Sequence, residues 1–167
     1  MQREHLGARA AQQDETGFTL IELMMVVLII AILIAVLIPV FLGASTRAKD
    51  RVMQANLKTA LTAAKGVYND KLDYTQATPG ALLTYSGASP FNFVASAVAP
   101  AKQNTVSVDA VNAAYIVLGG ESKSGTCFYV SDDETTGTTL YSSLGGAGGC
   151  AANGAPLVGD PSWKPSW

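Results

Sequence analysis

Gly17-Phe18-Thr19-Leu20-Ile21-Glu22 runs without a break into LMMVVLIIAILIAVLIPVFL, residues 23–42. That run carries no charge and a single proline, Pro39. Wound as a helix at about 1.5 Å per residue it extends about 30 Å, the depth of a bilayer's hydrocarbon core. The stretch therefore predicts a membrane-spanning helix. Glu22 is the anomaly, because it sits at the lip of the span between apolar neighbours. An ionised carboxylate there is costly unless it is paired or reaches water, so its presence points to a task. A secretory signal also contains an apolar run, but a shorter one of about 7–15 residues that is cut behind its C-terminal end. Here the only plausible cut precedes the run, and the helix stays in the product.

The hexapeptide Gly17 to Glu22 with twenty apolar residues behind it resembles the processing site of type IV prepilins. The resemblance covers residues 17 to 70. It implies cleavage between Gly17 and Phe18 by a prepilin peptidase, N-methylation of Phe18 by the same enzyme, and a role for Glu22 in pairing with a neighbouring subunit's new amino terminus. Pro39 matches a proline that kinks the helix late in the span. The implied product is a homo-oligomer in a helical filament, built by a pilus assembly platform. It is stored in the cytoplasmic (inner) membrane as a precursor and then carried to the cell surface, where such fibres serve adhesion, motility or DNA uptake. A pseudopilin of a type II secretion system or a minor pilin shares the same start, and a single-pass anchored binding domain is the alternative from another class.

Composition narrows the field. With 49% hydrophobic and only 14% charged residues, the chain suits an anchored or self-packing protein. The formal charge of −2 hides an asymmetry: residues 18–73 hold six Lys/Arg against four Asp/Glu, and residues 74–167 hold three against six. Neither part is basic enough for nucleic acid to be the expected partner. His5 is the one histidine and lies ahead of the cut, so the mature product lacks the commonest general base and metal ligand. No catalytic residue and no cofactor is expected, and the chain is not read as an enzyme.

Residues 1–17 are read as a leader, 18–42 as the transmembrane and assembly half of a long helix, and 43–167 as a globular head that includes the helix's amphipathic half. Arg47, Lys49 and Arg51 follow the span, so the Lys/Arg count alone leaves the orientation ambiguous or reversed. The resemblance places the leader inside and the head outside. From Met53 through Leu57, Ala60, Leu61, Ala64, Val67 and Tyr68, apolar residues recur at three- and four-residue steps and predict a stripe that covers a sheet. Arg51, Lys58 and Lys65 form a basic ridge, either solvated or facing Asp132, Asp133 and Glu134 of an adjacent subunit. Thr78-Pro79 predicts a capped helical turn. Residues 84–104 suggest a loop, and Val106–Ala110, Ala114–Leu118, Thr126–Val130 and Thr138–Ser142 suggest strands, with Gly119-Gly120 among the turn formers. The expectation is α+β: a long kinked helix on a 3–4 stranded antiparallel sheet, the pilin fold.

Two cysteines, Cys127 and Cys150, can pair in a domain outside the cytoplasm. Their bond would contribute roughly 3–4 kcal/mol in the chain-entropy model, the alternative being two free thiols. Such a bond is similar to the C-terminal disulfide region of pilins. Asp132-Asp133-Glu134 offer hard oxygens for calcium, which some pseudopilins bind in an equivalent region, although three acids in a turn are more often simply solvated. Two copies of Pro-Ser-Trp end the sequence, and Trp163 and Trp167 are expected on a tail lying loosely on the surface.

Overall fold

The computed structural model describes residues 17–87, 92–100, 104–146 and 149–167. The expected leader, save Gly17, lies outside them. The chain divides into two compact units, Met1–Phe41 and Leu42–Trp167.

Helix α1 spans Leu20–Lys71, with Pro39 inside it. Its part in the first unit is apolar on every side, and no residue from Phe18 to Phe41 is buried. By length and composition it can cross a membrane. Within the second unit the helix becomes one-sided. Met53, Leu57, Ala60, Leu61, Ala64 and Val67 are buried as the three- and four-residue spacing predicts, with Ala63 added to the stripe and Tyr68 only half-buried. A 3-10 turn, Tyr74–Gln76, is capped by the Asp73 carboxylate, which accepts from the Thr75 amide. Helix α2, Pro79–Tyr85, follows with Thr78 as its cap. Pro79 costs this helix nothing, since the amide it lacks would have had no partner in the first turn.

Five strands form one sheet in chain order: β1 Asn92–Ala95, β2 Thr105–Ala110, β3 Tyr115–Glu121, β4 Thr126–Asp133 and β5 Thr138–Gly145. The fold is α+β as expected, but the sheet is mixed and wider than three or four antiparallel strands. The addition is β1, which pairs parallel to β2, Phe93 beside Val106. Its four residues lie in the stretch expected as loop, and residues 88–91 and 101–103 of that stretch are outside the described set. A second correction concerns Gly119-Gly120, which is not a turn. Both lie inside β3, opposite Tyr129 and Phe128 of β4. A methyl on Gly119 would meet the Cys150 carbonyl at 2.7 Å, and one on Gly120 would meet the tip of Met53 at 2.0 Å. The pair is small because chain crowds both faces of the strand.

Strand alternation explains that crowding. On one face Val106, Val108, Ile116, Leu118, Phe128 and Val130 join the α1 stripe in the main core. On the other face Val117, Cys127 and Tyr129 pack with Cys150, Ala152 and Trp163. With both faces covered, β3 and β4 are buried almost continuously rather than at every second residue.

The tryptophans are therefore no loose tail, which is a third correction. Trp163 is 9% exposed, and its indole N–H donates to the carbonyls of Pro156 and Leu157 at 3.2 Å. Trp167 lies on the opposite face, edge-on to Phe128 at 5.1 Å and beside Tyr141 at 5.0 Å between ring centres. Between them Lys164 and Tyr141 exchange backbone hydrogen bonds at 2.8 and 2.9 Å. The segment thus folds over the outer edge of β5 and sets one indole on each side of the sheet.

Candidate functional site

Gly17 and Phe18 precede the first helical residue, both exposed and outside regular structure. The peptide bond between them thus lies on exposed chain outside the helix. Thr19 caps the helix. Its carbonyl accepts from the Leu23 amide at 3.3 Å, and its hydroxyl accepts from the Glu22 amide, also at 3.3 Å. Glu22 reaches back in return. Its Oε2 accepts from the Thr19 amide at 2.9 Å and from the Thr19 hydroxyl at 2.8 Å. This is a reciprocal capping box, which satisfies two of the amides that a helix start leaves without partners. The carboxylate also stands at the positive end of the helix dipole. Sequence analysis missed the role of Thr19, although Thr-x-x-Glu ahead of an apolar run is its signature. Around this acid Leu20, Ile21 and Leu23 are 78%, 75% and 61% exposed.

In the second unit Cys127 and Cys150 are joined by a disulfide. The acids read as calcium candidates do not converge. Asp132 faces the helix and Asp133 the other side, as strand alternation requires. The Asp132 side chain is 3% exposed, and Lys65 Nζ approaches its Oδ1 at 2.9 Å. Thr139, its partner across β5, donates to Oδ1 at 2.5 Å, and the Tyr74 hydroxyl lies 2.6 Å from Oδ2. Glu134 flanks the group, 3.8 Å from Lys65 and 3.2 Å from the Tyr74 hydroxyl. Burial alone would raise the Asp132 carboxyl, but hydrogen bonds from Thr139, Tyr74 and Lys65, with the lysine's charge, hold it below the ordinary aspartate value. Burial and the two carboxylates push the Tyr74 hydroxyl well above the ordinary tyrosine value.

Asp133 instead closes a turn, accepting from the amide and hydroxyl of Thr135 at 2.9 and 2.6 Å. Among the described residues no three His, Cys, Asp or Glu side chains are grouped to hold a metal ion. The basic ridge needs the same revision. Lys65 finds Asp132 and Glu134 in its own chain, and Lys58 stands 5.8 Å over the Tyr141 ring. The acids offered to a neighbouring subunit are thus engaged at home. A further anchor was not anticipated: Asp50 on α1 accepts from Ser122 at 2.7 Å and also from Ser124, fastening the β3–β4 turn to the helix. Gly125 completes that turn at φ +87°, a conformation that favours glycine.

What the first unit offers is an accessible Gly-Phe bond, a capped carboxylate and an unburied apolar rod. Neither a curated protein nor a solved structure matches the chain significantly. A family model does, over residues 13–38, and its description is "Prokaryotic N-terminal methylation motif". The chain thus carries at its N-terminal end the signature shared by type IV pilins and pseudopilins.

Proposed function

We propose that this chain is the precursor of a type IV pilus subunit whose work is assembly. The observation that carries the reading is the methylation motif over residues 13–38, with Glu22 inside it at the first turn of an apolar, unburied helix. In this reading residues 1–17 are the leader, 18–42 the assembly half of the helix and 43–167 the head. A prepilin peptidase cuts after Gly17 and methylates Phe18, and the precursor waits in the cytoplasmic membrane with its head outside.

The driving force follows from what each surface loses. Lipid tails cover the apolar rod as well as neighbouring rods do, so leaving the bilayer for a bundle gains little from apolar burial. A carboxylate and an amine entering an apolar interior discriminate far more sharply, because either one alone is costly there. Glu22 would exchange its Thr19 donors for the Phe18 amine of a neighbour, and only one axial stagger brings the two together. The disulfide-closed head then forms the surface of the fibre. A pseudopilin carries the same N-terminal signature. The pairing of Asp132 with Lys65 in its own chain weighs against the calcium set that would have favoured that alternative.

The test pairs mass spectrometry with electron microscopy. The mature protein should begin at methylated Phe18, and Glu22→Gln should be processed normally yet form no filaments. A product that keeps residues 1–17, or normal filaments from Glu22→Gln, refutes the assignment.

A further inference from the structure

We infer that the cleft where the C-terminal segment leaves the β5 edge is a binding site for one acidic sugar unit. Just past the Tyr141–Lys164 bridge the two segments part and leave a cleft of about 180 Å3. Ser142 and Ser143 line it from β5, Ser162, Lys164 and Ser166 from the C-terminal segment, and the rings of Tyr141 and Trp167 complete it. A cavity of about 150 Å3 holds benzene, so this space suits one six-membered ring and little more.

The lining says which kind of ring. Ser143, Ser162 and Ser166 line it beside Lys164, and a serine hydroxyl both donates and accepts, which matches the hydroxyls of a pyranose. The two aromatic rings offer apolar surface for the ring's C–H faces. Lys164 supplies one ammonium, and no carboxylate lines the cleft, so a negative substituent on the sugar meets a cation and no repulsion. Trp167 also carries a buried indole N–H with no acceptor among the described residues. The walls stand ready. The backbone bridge fixes Lys164, Tyr141 and Trp167 pack at 5.0 Å, and Ser142 and Ser162 already touch at 3.3 Å. Little ordering cost remains for binding. For a ligand of thirteen heavy atoms in so small a site the expected Kd is about 1 mM.

The experiment uses the full chain in a zwitterionic detergent without a sugar headgroup, labelled with 15N. The chain has two tryptophans, so it gives two indole resonances. Glucuronate, glucose and acetate are titrated separately. Glucuronate should shift the Trp167 indole saturably at millimolar concentration, with glucose and acetate each weaker by about tenfold, the loss expected for one charge-assisted hydrogen bond or for the ring contacts. Lys164→Gln should reduce glucuronate binding to the glucose level, with unfolding unchanged because Lys164 is exposed. Acetate binding as well as glucuronate would mean an anion contact only. Equal binding of glucose, no saturable shift up to 50 mM, or an unaffected Lys164→Gln would likewise overturn the assignment. The readout needs no filament, so its failure leaves the assembly reading untouched.

Discussion

Gly119 and Gly120 are neighbours in one strand, yet the same added methyl should be costly at the first and nearly neutral at the second. At Gly119 a Cβ would lie 2.7 Å from the Cys150 carbonyl and 3.0 and 3.1 Å from the Tyr129 ring, where ordinary contact begins near 3.4 Å. Something must yield by about 0.7 Å. The carbonyl belongs to a residue pinned by the disulfide, and the ring is buried, so neither can swing aside. Overpacking of this kind costs about 1–3 kcal/mol, against which alanine recovers about 0.5–1 kcal/mol of strand propensity. The net loss at Gly119→Ala is about 1–2 kcal/mol, a fall in Tm of about 4–10 °C for a head of this size. At Gly120 the obstacle is the Sδ and Cε of Met53, the free end of a side chain with three rotatable bonds. A rotamer change costs about 0.5–1.5 kcal/mol and the propensity gain nearly cancels it, so Gly120→Ala should shift Tm by no more than about 3 °C. Thermal unfolding of the full chain in detergent, followed by near-UV circular dichroism, compares the two. Gly120→Ala falling as far as Gly119→Ala would refute the reasoning, because the bare distances rank Gly120 as the worse clash.

Two further outcomes can be checked on the same preparation. Asp132 has its folded pKa below its unfolded value of about 3.9, so its stabilisation is complete above about pH 4 and is lost as pH falls through the folded value. Tyr74 is displaced the other way, so its contribution is complete below about pH 10 and is lost progressively as pH rises from there towards its higher folded value. Unfolding measured against pH should therefore show an acid leg that Asp132→Asn flattens and an alkaline leg that Tyr74→Phe flattens. Reduction of Cys127–Cys150, or Cys150→Ser, should cost about 2–4 kcal/mol in denaturant titration and expose Trp163, which shares that cluster, to fluorescence quenchers.

Much of this was legible in the residues. The span, its acid and the stripe from Met53 to Val67 follow from runs and periods that one dimension carries well. The Thr78 cap follows because its signal is local. What the residues hid was set by distant partners. Gly119-Gly120 looks like a turn unless one knows that Met53 and Cys150 press on the strand from opposite sides. β1 is four residues long and owes its place to a parallel neighbour rather than to propensity. The run Asp132-Asp133-Glu134 looks like one acidic cluster, whereas pleating separates its members and Lys65 neutralises one of them. Trp163 and Trp167 look like a repeat at a frayed end, because nothing local reveals that β5 lies between them. Only the Thr19–Glu22 box was both local and overlooked.

The indole pair has a consequence for any crowded arrangement of heads. An open sheet border invites a second copy to continue the ladder. Lys164 occupies the place where a foreign strand would dock on Tyr141. At that point the border is closed to a second copy, and two heads lying side by side do not join through it.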